Sequence, residues 1–374
     1  MLVVADSAIP FLQGVLEPFA DVRYKPGAEI RPADVRDADA LFVRTRTRVD
    51  SSLLECSRVK FVATATIGTD HLDKAYLDSK KVFWKNAPGC NAASVAQYIA
   101  SALLKISQKF AEPLSEKTLG IIGAGHVGRE VLRVAKALGV KVLLCDPPRA
   151  EKEGSESFVS EEELLSNSDI VTLHVPLERT GKYPTYHLAD ETFFKKIRPG
   201  AWFLNASRGE VADGNALKSA LKENRLKAAV LDTWENEPHI DPELLRLVDF
   251  GTPHIAGYSR DGKANATTQI VQAFARFFGL ESLQDFRAVL SSDLPVLEAC
   301  EICDGEALAR KLVLATYDIS RDSESLKQNL SGFESLRNGY PIRREPVAFK
   351  VRLGKGQFAF RHMLEGLGFT ILPD

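Results

Sequence analysis

A glycine-rich junction between a predicted strand and a predicted helix constrains this sequence most. Residues 119–122 form a short apolar run typical of a buried strand, and residues 127–138 have the period of a helix. Between them stands Gly123-Ala-Gly125-His-Val-Gly128, a G-x-G-x-x-G sequence. There the first glycine permits a tight turn, the second lets the backbone approach a pyrophosphate, and the third lets helix and strand pack closely. The junction predicts a dinucleotide-binding βαβ unit.

An acidic residue follows the next predicted strand. Asp146 stands directly after residues 140–145. A carboxylate there can accept hydrogen bonds from both ribose hydroxyls and would repel a 2′-phosphate, so it favours NAD over NADP. Arg149, three residues later, leaves NADP open as the alternative. We predict NAD as the cofactor, with its phosphates at the helix N-terminus.

The same alternation of strands and helices runs along most of the chain. Further apolar runs occur at residues 2–5, 40–43, 61–64, 170–173, 201–204 and 228–231. This rhythm predicts an α/β protein with two doubly wound, Rossmann-like parallel sheets. Past about residue 280 the pattern changes to a helix near 306–314, an apolar strand at 347–349 and a final helix and strand. These elements predict a small, separate C-terminal α+β domain.

Composition limits the class of function. At 374 residues, 45% apolar and 26% charged, the chain is expected to be soluble and to fold as two or three domains. A formal charge of −2 without a basic block argues against nucleic acid, and no apolar run approaches the roughly 18 residues that span a membrane. Five cysteines suit a reducing cytoplasm. Cys300 and Cys303 form a C-x-x-C without a second ligand pair, so we expect no metal site.

Three polar residues follow predicted strands in the second half of the chain. They are Arg208, Glu237 and His254. Because ligands of doubly wound sheets bind beyond the carboxyl ends of the strands, all three can converge on one crevice. An imidazole suits proton removal from an alcohol near neutral pH, a carboxylate can hold the ring, and a guanidinium can bind a substrate carboxylate. The trio predicts a dehydrogenase of 2-hydroxy acids, with His174 as a weaker alternative base.

These motifs resemble the D-2-hydroxyacid dehydrogenase family over roughly residues 35–275. The similarity is carried by the glycine loop, by the stretch 205–209 around Arg208, by 231–238 and by 252–254. It implies that the arginine binds substrate, that the histidine is the acid/base and that the glutamate pairs with it. It also implies two domains, residues 1–93 with 258–282 for substrate and 94–257 for NAD. We predict residues 283–374 as a third domain, for dimerisation, from the subgroup resemblance that follows.

Other stretches are similar to the subgroup of this family that oxidises 4-phospho-D-erythronate at C2 during synthesis of pyridoxal 5′-phosphate. They lie at residues 63–71, 86–91, 145–149, 254–258, 317–319 and 341–344. This resemblance implies a homodimer and substrate contacts from Thr45, Thr66 and Tyr258. The cofactor contacts that it implies are His126, Val127, Val175, Ala206, Ser207, Arg208, Asp232 and Gly257. Val175 stands where a threonine is common in the family, which removes one side-chain contact.

A phosphorylated substrate also calls for cations. Arg44, Arg46 and Arg48 alternate with threonines after the strand predicted at 40–43. In a continued strand all three arginines would share one face. A solvated edge is one interpretation; the other is that at least Arg44 binds the anionic end of the substrate.

Two other functions fit many of the same residues. One is a 3-phosphoglycerate or hydroxypyruvate/glyoxylate dehydrogenase, against which the C-terminal sequence and Tyr258 argue. The other is an NAD-sensing corepressor, because such proteins of the same family keep the catalytic trio. The appended domain and the absence of polar flanking tails argue against the corepressor.

Overall fold

The structure is a computed structural model that describes residues 1–291, 294–299 and 304–373. Contacts divide the chain into two compact units. The first comprises Met1–Asn91 and the segment from Ser259 to residue 291, and the second comprises Ala92–Tyr258 and the described residues from 294 onward. We call this last segment the C-terminal module. The division into three domains stays a prediction.

The first part of the chain alternates strands and short helices. Its elements are β1 (Leu2–Asp6), β2 (Asp21–Lys25), α1 (Pro32–Val35), β3 (Ala40–Val43), α2 (Ser51–Leu54), β4 (Phe61–Thr64), α3 (Lys74–Ser79) and β5 (Phe83–Lys85).

The middle of the chain repeats the alternation with longer elements. They are α4 (Ala92–Phe110), β6 (Thr118–Ile122), α5 (His126–Ala137), β7 (Lys141–Cys145), α6 (Pro147–Glu153), α7 (Glu161–Asn167), β8 (Ile170–Leu173), α8 (Glu191–Lys196), β9 (Ala201–Asn205), α9 (Gly214–Lys222), β10 (Leu226–Leu231), α10 (Pro242–Leu247) and β11 (Phe250–Gly251).

The remaining elements belong to both units. They are α11 (Arg260–Phe278), β12 (Leu297–Ala299), α12 (Gly305–Thr316), α13 (Ile319–Gln328), α14 (Phe333–Asn338), β13 (Lys350–Leu353), α15 (Arg361–Gly366) and β14 (Thr370–Ile371).

The sheet of the first unit is parallel, with strand order β2-β1-β3-β4-β5. Its central strands are buried on both faces, which is why β3 and β4 read as unbroken apolar runs. Helix α11 supplies Ile270 and Phe274 to the core that contains Phe42 and Phe61. The first unit is therefore completed by a helix that follows the second sheet in the chain.

The sheet of the second unit is also parallel, with order β11-β10-β9-β8-β6-β7. Alternate residues of β9 enter two different cores: Trp202 and Leu204 pack with α4 and α5, while Phe203 packs with α8. The strand order reverses beside β6, where a doubly wound sheet binds its ligand. The predicted α/β class with two doubly wound sheets is confirmed.

The C-terminal module forms a small parallel sheet of order β12-β13-β14. Leu308, Leu312 and Ile319 of its helices share one core with Leu103 and Leu104 of α4. A separate C-terminal sheet with helices was predicted, but its strand at 347–349 was wrong. Residues Pro346–Ala348 form a 3-10 turn and the strand begins at Lys350, because proline fixes the backbone for the first turn of a helix.

No helix in the described part of the chain is both long enough and apolar enough to span a membrane.

Candidate active site

The glycine loop joins β6 to α5 with φ of +93° at Gly123. A Cβ there would lie 2.5 Å from the carbonyl oxygen of His174, and one at Gly128 would lie 2.0 Å from the carbonyl oxygen of Gly123. Both glycines are therefore required by the fold. A Cβ at Gly125 would meet nothing within 4 Å, so this glycine borders open space at the N-cap of α5. That opening fits a phosphate group approaching the helix N-terminus.

Asp146 caps α6 and also holds the glycine loop. Its carboxylate accepts from the backbone N–H of Arg149 at 3.1 Å and of Ala124 at 2.8 Å. The Arg149 guanidinium pairs with Glu153, at 2.8 Å for Nε, and donates to the carbonyl oxygen of Ala124. The hydrogen bond to Glu153 raises the pKa of Arg149. Because Glu153 offsets its charge, Arg149 attracts the 2′-phosphate of NADP less strongly than an arginine without an acidic partner would.

The remaining residues predicted to bind cofactor lie in the same unit, at the start of a helix or in loops. His126 and Val127 begin α5, Val175 follows β8, and Ala206 follows β9. Gly257 lies in the loop between β11 and α11, together with His254.

The predicted catalytic trio lines one cavity of about 340 Å³ in the second unit. Arg208 follows β9, Glu237 follows β10 and His254 follows β11. Neighbouring parallel strands bring these three positions to the same edge of the sheet.

His254 and Glu237 form a direct pair. The distance from His254 Nδ1 to Glu237 Oε2 is 2.7 Å, and Glu237 Oε1 accepts from the backbone N–H of Trp234 at 3.0 Å. Burial by itself raises the pKa of the Glu237 carboxyl, but the hydrogen bond and charge of His254, the N–H of Trp234 and the charge of Arg337 together bring the pKa below its ordinary value. With Nδ1 donating to an ionised Glu237, Nε2 is the ring atom left to exchange a proton.

The loop that carries His254 is held by Asp232. This carboxylate is 1% exposed and accepts from Thr252 Oγ1 at 2.6 Å and from the backbone N–H groups of Ile255 and Ala256 at 2.7 and 2.8 Å. His254 itself has φ of +57°. Asp232, which we predicted to contact the cofactor, thus also fixes the shape of this loop.

Asn205 shapes the loop that carries Arg208. Its side-chain oxygen accepts from the N–H and hydroxyl of Ser207 at 3.0 and 2.7 Å, and its nitrogen donates to the carbonyl oxygen of Arg208 at 2.9 Å. The Arg208 guanidinium donates to the carbonyl oxygen of Ser207 at 2.8 Å. These local bonds turn the chain so that Arg208 reaches the cavity.

The predicted substrate residues of the first unit lie at the carboxyl ends of β3 and β4. Thr66 Oγ1 lies 2.7 Å from Thr64 Oγ1 and donates to the carbonyl oxygen of Gly68 at 2.9 Å. Arg44 donates to the carbonyl oxygen of Ala8 at 3.1 Å, and Thr45 is exposed beside it.

Arg44, Arg46 and Arg48 do not share a strand face. Strand β3 ends at Val43, and residues 44–48 form a turn in which Arg48 pairs with Asp50 at 2.8 Å. The chain turns here because Asp50 caps α2, accepting from the N–H groups of Ser52 and Leu53.

His174, the alternative base, is half-buried and its Nε2 lies 3.0 Å from Thr172 Oγ1. Burial lowers the pKa of its imidazole to about 3. A ring with so low a pKa is a poor proton acceptor near neutral pH, so His254 is the better candidate for the base.

Sequence reasoning missed two side chains of the cavity. Arg179 and Tyr186 line it together with Arg208 and His254, and the Arg179 guanidinium lies 4.4 Å from the centre of the Tyr186 ring. Both lie in the loop after β8, so their position beyond a carboxyl strand end was the available signal.

Among the described residues, no cluster of three or more His, Cys, Asp or Glu side chains could hold a metal ion. Cys300 and Cys303 lie outside the described residues.

Comparison with known proteins identifies the family of the chain. Residues 94–256 match the model described as D-isomer specific 2-hydroxyacid dehydrogenase, NAD binding domain. The chain is 48% identical to a Bacteroides fragilis protein named erythronate-4-phosphate dehydrogenase, over 95% of this chain and all of that protein. A Pseudomonas entomophila protein of the same name is 42% identical over the whole of this chain and 99% of its own length. The chain belongs to the D-isomer specific 2-hydroxyacid dehydrogenase family.

The fold is also similar to that of a dehydrogenase of known structure. The structure is similar to a D-lactate dehydrogenase from Aquifex aeolicus, whose structure holds NAD and lactic acid, with a TM-score of 0.62 and 24% identity. That match covers 78% of this chain and all of the other. Residues 291–368 match a domain of unknown function, DUF3410. The chain is an NAD-dependent dehydrogenase of this family with an additional C-terminal domain.

The dual position of Asp146 leads to a prediction about cofactor choice. We expect Asp146→Ala to raise the dissociation constant of NAD about 10- to 100-fold, because hydrogen bonds to a charged group contribute about 1.5–3 kcal/mol. NADP should change far less, since its 2′-phosphate is repelled by this carboxylate. Fluorescence titration with both cofactors measures the ratio.

Asp190→Ala is the matched control, because Asp190 caps α8 by accepting from the N–H of Phe193 at 2.8 Å. Either substitution removes a helix cap, at about 1 kcal/mol of stability. If both variants keep the wild-type ratio of NAD to NADP affinity, Asp146 does not bind the ribose.

Proposed function

We propose that this chain oxidises 4-phospho-D-erythronate to (R)-3-hydroxy-2-oxo-4-phosphooxybutanoate, with NAD, in the synthesis of pyridoxal 5′-phosphate. The observation that carries the chemistry is the 2.7 Å pair of His254 and Glu237 in the cavity that Arg208 also lines. The substrate is supported by the likeness, over nearly the full length, to two proteins named erythronate-4-phosphate dehydrogenase.

Each member of the trio has a distinct task in this proposal. Arg208 binds the substrate carboxylate through its planar guanidinium and polarises the neighbouring C2 oxygen. His254 Nε2 takes the proton of the C2 hydroxyl. Bound NAD supplies the acceptor for the hydride that leaves C2.

Glu237 holds the ring of His254 through the 2.7 Å contact with Nδ1. Its pKa is lowered, so the carboxylate stays ionised at neutral pH and stabilises the imidazolium that forms when His254 takes the proton. Its second oxygen is occupied by the N–H of Trp234, which fixes the carboxylate in the orientation that the ring requires.

The other predicted contacts are proposals of the same kind. For substrate they are Arg44, Thr45, Thr66 and Tyr258. For cofactor they are Gly123, Gly125, His126, Val127, Gly128, Asp146, Val175, Ala206, Ser207, Arg208, Asp232 and Gly257. The open side of Gly125 supports the phosphate contacts in particular.

Turnover tests the substrate directly. We expect the purified chain to form NADH with 4-phospho-D-erythronate, and to act at least 100-fold less efficiently on 3-phosphoglycerate and D-glycerate. A 2-oxo acid is added in a parallel assay to reoxidise any cofactor that stays bound. Preference for another acid would keep the family and contradict the substrate, whereas NAD binding without any turnover would favour a corepressor-like function.

The acid/base assignment predicts the behaviour of His254→Ala. We expect kcat to fall about 100- to 10,000-fold, which is the usual contribution of a positioned general base. NAD affinity should stay within a few fold, because the substitution leaves the glycine loop intact. Steady-state kinetics and NAD titration measure the two quantities.

His187→Ala provides the control. His187 Nε2 lies 2.8 Å from Glu235 Oε1, so this pair has the same chemistry and similar exposure to solvent as the pair of His254 and Glu237. We expect its loss to leave kcat within about threefold. Equal effects of the two substitutions would contradict a special role of His254.

We also propose that the protein is a cytoplasmic homodimer that pairs through the C-terminal module. Ile342 and Val347 of this module are 70% and 60% exposed, which is unusual for large apolar side chains and typical of an interface. Deletion of the module is a poor test, because it would uncover the core that α4 shares with α12.

Charge placed on the exposed apolar residues tests the dimer more cleanly. We expect Ile342→Glu with Val347→Glu to convert a dimer to a monomer in light scattering behind size exclusion. Phe83→Glu, at an exposed apolar residue of the first unit, should stay dimeric. A variant pair that remains dimeric would place the interface elsewhere.

A further inference from the structure

The C-terminal module places one arginine inside the second unit. Arg343 is only 6% exposed, and its guanidinium lies 4.4 Å from the centre of the Tyr317 ring. Its nitrogen atoms Nε and Nη1 have no hydrogen-bond partner among the residues that the structure describes. A buried charge with unpaired donors costs free energy, so general stability is a weak explanation for its presence.

The paired nitrogen of Arg343 points to the loop that carries the proposed base. Nη2 donates to the carbonyl oxygen of Ala256 and to Ser94 Oγ. Ser94 lies on α4 and its hydroxyl donates to the same carbonyl oxygen at 3.0 Å. Ala256 comes two residues after His254. The arginine therefore joins the C-terminal module, α4 and the loop after β11 at one backbone atom.

The loop is held from its other side by Asp232. The N–H of Ala256 donates to Asp232 Oδ2 at 2.8 Å, while its carbonyl oxygen accepts from Arg343. The negatively charged Asp232 thus fixes the N–H of Ala256, and the positively charged Arg343 fixes its carbonyl oxygen. Since His254 has a left-handed backbone, which is uncommon for residues with a side chain, the loop needs such restraint to keep it there.

The arginine is itself held in place. Asp322 of α13 accepts from the hydroxyl of Tyr317 at 3.0 Å and from that of Tyr340 at 2.7 Å. Both aromatic rings lie near the guanidinium, with the Tyr340 centre at 5.9 Å. The rings and the carboxylate form a negative environment that favours the cation at this position.

We propose that Arg343 is a positioning residue for the reaction: it clamps the carbonyl of Ala256 and so holds His254 in line with Glu237 and the substrate. This inference rests on the proposed role of His254 as acid/base. It gives the C-terminal module a part in catalysis within its own chain, separate from any part in dimerisation.

Arg343→Lys tests the clamp in the full-length protein. Lysine keeps the charge, but its side chain is shorter and lacks the planar group that lies over the Tyr317 ring, so its nitrogen cannot take the place of Nη2 on the Ala256 carbonyl oxygen. We expect amide hydrogen exchange in the peptide that covers residues 254–258 to become at least 10-fold faster. In single-turnover measurements, the rate constant of NADH formation should fall 10- to 100-fold, with unchanged amplitude and with the dissociation constant of NAD within twofold.

Arg352→Lys is the matched control, since Arg352 is an exposed arginine of the same module that pairs with Glu298 at 2.6 Å. It should leave exchange and rate at their wild-type values. A purely structural role of Arg343 would lower the amplitude, through a smaller active fraction, and leave the rate constant unchanged. That result, or wild-type exchange in Arg343→Lys, overturns the proposal.

Ser94→Ala decides the question if Arg343→Lys does not fold. It removes one of the two side chains on the Ala256 carbonyl, and we expect at least threefold faster exchange at 254–258 with a slower single turnover. Unchanged exchange would overturn the clamp. If the wild-type chain does not oxidise 4-phospho-D-erythronate, the proposed substrate fails, whereas the exchange measurement still tests the clamp.

Discussion

The buried carboxylate of Asp232 is the constraint on which the proposed active site depends. Burial raises the pKa of this group, which means that the ionised form is expensive without partners. Thr252 and the backbone N–H groups of Ile255 and Ala256 provide those partners, and all of them belong to one loop. The loop cannot move away without leaving a charge unpaired in the interior. Asp232 therefore fixes the shape of the loop and the position of His254, without itself having to take part in proton transfer.

The parallel sheet explains why three residues far apart in the sequence can line one cavity. Strands β9, β10 and β11 are adjacent, so the loops that follow them open at one edge and bring Arg208, Glu237 and His254 to one cavity. The glycine loop after β6 lies at the same edge, beside the point where the strand order reverses. In the second unit the glycine loop and the cavity lined by the proposed trio thus share one edge, which is the edge at which doubly wound sheets bind ligands.

The sequence predicted closely the bounds of elements whose apolar pattern repeats over several turns. Its predictions failed where the pattern covers only a few residues. The helix predicted at 127–138 is observed as His126–Ala137, because its apolar face repeats over three turns. The apolar residues 347–349 were read as a strand, but Pro346 starts a 3-10 turn there. The alternating arginines from Arg44 suggested a strand face, yet the cap at Asp50 turns the chain. In both cases a local backbone preference outweighed a pattern only a few residues long.

Residue types at short spacing were enough to predict the doubly wound class, the glycine loop, the acidic residue after β7 and the members of the proposed trio. The contacts between side chains follow from the tertiary structure. The 2.7 Å contact of His254 with Glu237 joins residues 17 positions apart, and the contact of Arg343 with Ala256 joins residues 87 positions apart. Burial likewise lowers the pKa of His174 to about 3, which makes its ring a poor proton acceptor near neutral pH. Long-range contacts and burial depend on which surfaces exclude water once the cores have packed, and they cannot be deduced from the spacing of residues in the sequence.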